Sequence, residues 1–150
     1  MNELIQTISE IAKYGLQANL QEAEMEKALE KQLIKLYSLY YDVEDCFDSA
    51  TYPDFEGSIL PDIRLNIGTN FKDFGYYQTI LNPLDLESDN TGMGDAVDDL
   101  HDIIRDLLEV EWRIENNSLS DGLWHFKLLF RDHMQQHTLN LLNYLKQKNG

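Results

Sequence analysis

The sequence predicts an all-α fold: a single-domain helical bundle over residues 1–150, with about four main helices and short helices in the 55–85 region. Three observations carry this. Apolar residues recur at helical spacing through four long stretches. The link between the last two stretches is short and polar, which makes them antiparallel neighbours. The chain, 43% hydrophobic, is long enough for one sizeable core.

The first stretch, 3–18, places Leu4, Ile5, Ile8, Ile11, Ala12 and Gly15 on one face. The phase breaks near Leu20 and Gln21. A second helix over about 22–42 carries Met25, Ala28, Leu29, Leu33, Leu36, Leu39, Tyr40 and Val43. Glu22, Glu24 and Glu26 lead it and Lys27, Lys31 and Lys35 follow, the order the helix dipole favours. The two pieces form either one kinked helix or a hairpin. Residues 44–93 are irregular. Pro61 suits a first helical turn, so a short helix is expected over about 61–69. Phe71, Phe74, Tyr76 and Tyr77 then crowd a segment between turn residues. They form a loop pinned to the core by its rings, or an aromatic surface that would serve a homo-oligomer. Asn82-Pro83-Leu84 ends a short helix or turn. Glu87–Gly94 is polar, holds two glycines and reads as a mobile linker.

Gly94–Ile114 reads as an amphipathic helix. Val97, Leu100, Ile103, Ile104, Leu107, Leu108, Val110 and Ile114 form its apolar face. Asp95, Asp98, Asp99, Asp102, Asp106 and Glu109 fall opposite, with Asp95 placed to cap the first turn. Like charges at this spacing cost a few tenths of a kcal/mol per pair, so the ridge calls for something positive. It is a solvated outer face, a cation site, or a docking face for a basic partner. Asp98-Asp99-Leu100-His101 is a loose analogue of the Glu-x-x-His motif of di-iron bundles, which occurs there in pairs and faces inward. Glu111 differs from the ridge: it projects onto the apolar face, where a carboxylate needs a partner, a raised pKa or a route to water.

A last helix is expected over about 121–146, capped by Ser120 or Asp121. Leu123, Phe126, Phe130, Met134, Leu141, Tyr144 and Leu145 make its apolar stripe, and His133 and His137 lie within it. Histidines four apart converge on one face, which is metal-ligand spacing. The zincin motif fails, since Met134 stands where its glutamate belongs. A third ligand would come from another helix, with Glu111 and His101 as candidates. The alternatives are neutral core histidines, each hydrogen-bonded, or a general acid–base pair.

The net charge of −15, from 27 acids and 12 bases, argues against phosphate-backbone binding to nucleic acid. No apolar run spans a bilayer, and the N-terminus lacks a signal-peptide core, so the expected location is cytoplasmic. A single cysteine, Cys46, excludes an intramolecular disulfide. Residues 85–111 hold ten acids and one arginine, whereas 123–150 hold four bases and one acid. Such an imbalance is satisfied if the two regions are neighbours. No nucleophile motif, phosphate loop or dinucleotide fingerprint occurs, and the sequence assigns no cofactor.

Asn70-Phe71-x-Asp73-Phe74-Gly75-x-Tyr77, then Gly94-Asp95-Ala96-x-Asp98-Asp99-Leu100-x-Asp102-Ile103, then Trp124-His125-Phe126 with His133 and His137, resemble a family of small, acidic, all-α bacterial proteins known only as a domain of unknown function. The resemblance spans about 30–146. It implies a compact helical bundle and a bacterial source, and no activity. The expected function is a non-enzymatic binding or adaptor protein, whose acidic face (Asp95, Asp98, Asp99, Asp102, Asp106) meets a basic partner. The alternative is a metal-dependent helical-bundle enzyme using His133, His137 and a carboxylate such as Glu111.

Overall fold

A computed structural model of the chain describes residues 1–44 and 46–150. The fold is predominantly helical but not all-α, because a small two-stranded sheet precedes the acidic helix. The helices are α1 (Asn2–Leu16), α2 (Met25–Asp42), α3 (Ile63–Asn70), α4 (Ala96–Asn116), α5 (Leu119–Leu129) and α6 (Gln135–Asn149). A π-helical turn, Phe130–Met134, joins α5 to α6. A 3₁₀ turn occupies Gly57–Ile59. Strands β1 (Tyr76–Ile80) and β2 (Thr91–Asp95) pair antiparallel, with Tyr77 opposite Gly94.

Helix α4 is the axis of the molecule. Leu100, Ile103, Ile104, Leu107 and Val110 are wholly buried, and α4 packs against α1, α3, α5 and α6. Leu4, Ile8 and Ile11 come from α1; Leu29, Leu33 and Leu36 from α2; Phe126 from α5 and Leu141 from α6. Each such side chain gains roughly 1.5–3 kcal/mol over remaining in water. Phe130 in the π turn stacks on Tyr40 at 4.8 Å and meets the Tyr37 ring edge-on at 5.4 Å, tying α2 to the last helices.

α1 and α2 are separate helices, and α3 closes the end of α1. Asn66 donates to the Gly15 carbonyl (2.8 Å), and Asn70 donates to those of Tyr14 (2.9 Å) and Gln17 (2.7 Å). The same Asn70 accepts from the Leu20 N–H at 2.8 Å. These bonds satisfy carbonyls that a helix end leaves open. The chain reverses with Asn19 and Glu24 at positive φ, 53° and 54°.

Asp95 caps α4 as expected, accepting from the N–H groups of Val97 (2.9 Å) and Asp98 (3.4 Å). The cap of α5 is Ser118 rather than Ser120 or Asp121; it accepts from Asp121 N–H at 3.0 Å, and the helix starts earlier than expected. Pro61 likewise precedes the cap of α3, Asp62, and so stands outside the helix. Gly122 permits the close approach of α5 to α4, since a Cβ there would strike Ile114.

The sheet replaces two sequence expectations. Tyr76–Ile80 is a strand whose Tyr77 and Thr79 turn inward, not a loop. The segment expected to be a mobile linker, 87–94, runs into β2, and the turn that precedes the strand is internally hydrogen-bonded. Leu81 N–H donates to the Asn90 carbonyl (2.8 Å) and Asn82 N–H to the Asn90 side chain (2.7 Å). Asp85 accepts from the N–H groups of Glu87 (3.1 Å) and Ser88 (3.2 Å). Among the described residues no helix is long and apolar enough to cross a membrane.

Candidate metal centre

The acidic ridge of α4 is not uniformly solvated. Asp99 and Asp106 are 4% and 5% exposed. The α5–α6 rod covers the stripe Asp99, Asp102, Asp106, and the pairs Arg113–Asp121, His133–Asp106 and His137–Asp99 run in opposite directions along the two helices. The acidic and basic regions are therefore neighbours, but imidazoles rather than lysines meet the ridge. Lys127 is directed to the Tyr40 carbonyl and Lys148 to Glu26.

Each imidazole is held from behind. His133 Nδ1 lies 2.6 Å from Asp106 Oδ2, and His137 Nδ1 lies 2.7 Å from Asp99 Oδ1. A buried carboxylate accepts, so each ring donates through Nδ1. Their Nε2 atoms then turn toward one oxygen: Asp102 Oδ2 is 3.2 Å from His137 Nε2 and 3.7 Å from His133 Nε2. The two rings meet edge-on with centroids 4.8 Å apart. One donor atom each from Asp102, His133 and His137 lies within 4.8 Å of the others.

The π turn presents His133. Gln135 N–H bonds to the Phe130 carbonyl, five residues back, which widens the helix where the ring leaves it. The hairpin supplies the last member. Tyr77 OH donates to Asp99 Oδ2 in a short hydrogen bond, so this carboxylate is shared between a phenol and an imidazole. The Tyr77 ring crosses the strand partner Gly94, where any Cβ would collide with it.

Charges follow the geometry. The hydrogen bond from His137 to Asp99 pushes that imidazole's pKa up, against the opposing effect of burial. Burial pushes the Asp106 carboxyl up, although its bond to His133 pulls the other way. Burial, then the Asp99 bond, pushes the Tyr77 phenol up, so it remains a donor.

The other expected site residues lie apart. Asp95 caps α4 and stands 3.8 Å from Arg64, which also hydrogen-bonds Asp98. Glu111 does not reach the histidines. It lies nine residues beyond Asp102, which at about 100° per residue puts it on the far side of the helix. There it faces a crevice of about 30 Å³ with Ile5, Ile8 and Ile114, and burial, then the charge of Glu115, raises its pKa. The carboxylate between the histidines is Asp102. His101 is close by: its Nδ1 is 3.0 Å from Asp102 Oδ1. Tyr77 was expected only as one of the crowded aromatics; its bond to Asp99 had no sequence signal beyond a bulky aromatic upstream of a glycine that has to lie beneath it.

Two imidazoles, each fixed through Nδ1 by a carboxylate and aiming Nε2 at a third carboxylate, match the ligand chemistry of a transition-metal site once the ion displaces any proton on Nε2. No family model, curated protein or solved structure matches the chain.

Proposed function

We propose that the protein binds a divalent transition-metal ion through His133, His137 and Asp102, and that this ion is its chemical centre. The observation that carries this is the pair of carboxylate–imidazole units, at 2.6 and 2.7 Å, whose Nε2 atoms converge on Asp102. Core histidines satisfied only by hydrogen bonds have no need to share such a focus. Imidazole with carboxylate suits manganese, iron, cobalt, nickel or zinc better than the all-oxygen preference of calcium and magnesium. Three protein donors leave coordination positions open, the pattern of catalytic rather than structural sites. The His133 side chain is 45% exposed, so water or a substrate oxygen has access. A bound ion would supply Lewis acidity or an activated water, and Asp99 and Asp106 would keep both rings oriented.

The test is calorimetric titration of the purified chain with Zn²⁺ and Mn²⁺, beside elemental analysis of protein prepared without a chelator. His133→Ala, His137→Ala and Asp102→Asn are expected to abolish high-affinity binding, and Glu111→Gln to leave it unchanged. A folded wild-type protein that binds neither ion removes the proposal.

The second reading is a docking face for a basic partner. The net charge of −15 and the partly exposed Asp98 favour it. It ranks below the metal because Asp99 and Asp106 are enclosed and Arg64 already meets Asp95 and Asp98. Its test is a basic peptide at low ionic strength; binding that Asp95→Asn and Asp98→Asn leave undiminished would count against it.

A further inference from the structure

We propose that the centre is dinuclear, with Asp102 bridging two divalent transition-metal ions and Asp98 and His101 holding the second. The inference rests on the metal reading above and extends it. The two oxygens of Asp102 face different imidazoles. Oδ2 faces His137 and His133, whereas Oδ1 lies 3.0 Å from His101 Nδ1. A carboxylate engaged from both sides is a natural bridge.

The second donor set is already assembled. One atom each from Asp98, His101 and Asp102 lies within 4.8 Å of the others, as in the first set. The spacing i, i+3, i+4 on α4 brings these three onto one turn of helix, so no loop has to close around the ion. The side chains are 44%, 26% and 24% exposed, so the position is open to solvent. The charge balance points the same way. Asp98, Asp99, Asp102 and Asp106 stand together on α4, more carboxylate than one divalent ion neutralises.

Arg64 is the built-in competitor. Its guanidinium hydrogen-bonds Asp98 and approaches Asp95, and its side chain is 50% exposed. It can swing away on its flexible stem when a cation takes its place. The second ion is therefore the weaker one, and removing the arginine's charge strengthens it.

The experiment is equilibrium dialysis of the full chain against Mn²⁺ or Zn²⁺ with metal counted per chain. It is paired with electron paramagnetic resonance of the Mn²⁺-loaded protein and a circular dichroism check on each variant. Wild type is expected to bind two ions, with an exchange-coupled Mn²⁺ signal. His101→Ala and Asp98→Asn are expected to retain one ion and lose the coupling. Arg64→Gln is expected to tighten the second ion several-fold and leave the first unchanged. One ion in wild type, unaffected by His101→Ala, overturns the second site and leaves the first standing. Two ions without coupling, insensitive to His101→Ala, also overturn it. No ion in folded wild type overturns both sites together.

Discussion

Asp99 serves two donors, the Tyr77 phenol and the His137 imidazole, from a position that is 4% exposed. In His137→Ala only the phenol remains to answer a buried charge. Hydrogen bonds to charged groups contribute about 1.5–3 kcal/mol, so the metal-free variant should lose roughly that in urea unfolding. Glu111 behaves oppositely, because burial works against its charge. Its folded pKa lies above the unfolded value, so the native state holds the proton more tightly. Stability is full below the ordinary glutamate range and falls as pH rises through the raised folded pKa. Glu111→Gln should therefore raise the melting temperature at pH 7, and the gain should vanish once the pH is below the ordinary glutamate pKa. The site histidines and aspartates were legible individually, through the four-residue spacing of His133 and His137 and the row of acids on α4. Their pairing was not, because helical phase sets which side a residue faces but not how wide a face its neighbours cover. Asp99 and Asp106 lie on the flank of the apolar stripe, and the α5–α6 rod overlaps that flank.

The π turn and the hairpin are the two elements that periodicity missed. A single wide turn leaves the flanking α-helical phases readable, so 121–146 reads as one continuous helix in sequence. Removing one residue from the turn tests its purpose. Deletion of Asp132, an exposed member, should let the segment close to α-helix while Leu141 and Leu145 keep their packing. His133 would then shift off Asp106, and loss of an orienting partner costs about 10–100-fold in metal affinity, measurable by calorimetry at unchanged helicity. The hairpin was hidden by composition: Tyr76–Ile80 has strand-forming residues, but its partner Thr91–Asp95 holds two glycines and reads as a connector. Those glycines leave room for side chains. Gly94→Ala should push the Tyr77 ring off its course and break the bond to Asp99, visible as a shifted tyrosine absorbance and a lower melting temperature.

For the molecule as a whole, four long amphipathic stretches made the bundle legible, along with the central place of α4 and the adjacency of the acidic and basic segments. That adjacency proved to rest on imidazoles, which a count of lysines and arginines does not register. With a net charge of −15 the fold carries self-repulsion that a bound cation relieves. Binding to the native state alone stabilises it by about 2.7 kcal/mol when free metal is a hundredfold above Kd. For a domain of this size about 5–10 °C of added thermal stability follows. Melting scans with Zn²⁺ or Mn²⁺ should show the rise, and a chelator should reverse it. The Tyr77–Asp99 bond carries one more consequence. It is a side-chain tether from the sheet into the imidazole cluster, and the outer face of that sheet exposes Tyr76 and Met93. Under the proposed metal binding, thermodynamic reciprocity applies: whatever grips the hairpin and shifts Tyr77 would alter the hold on the cation, and the cation would alter the grip by the same factor.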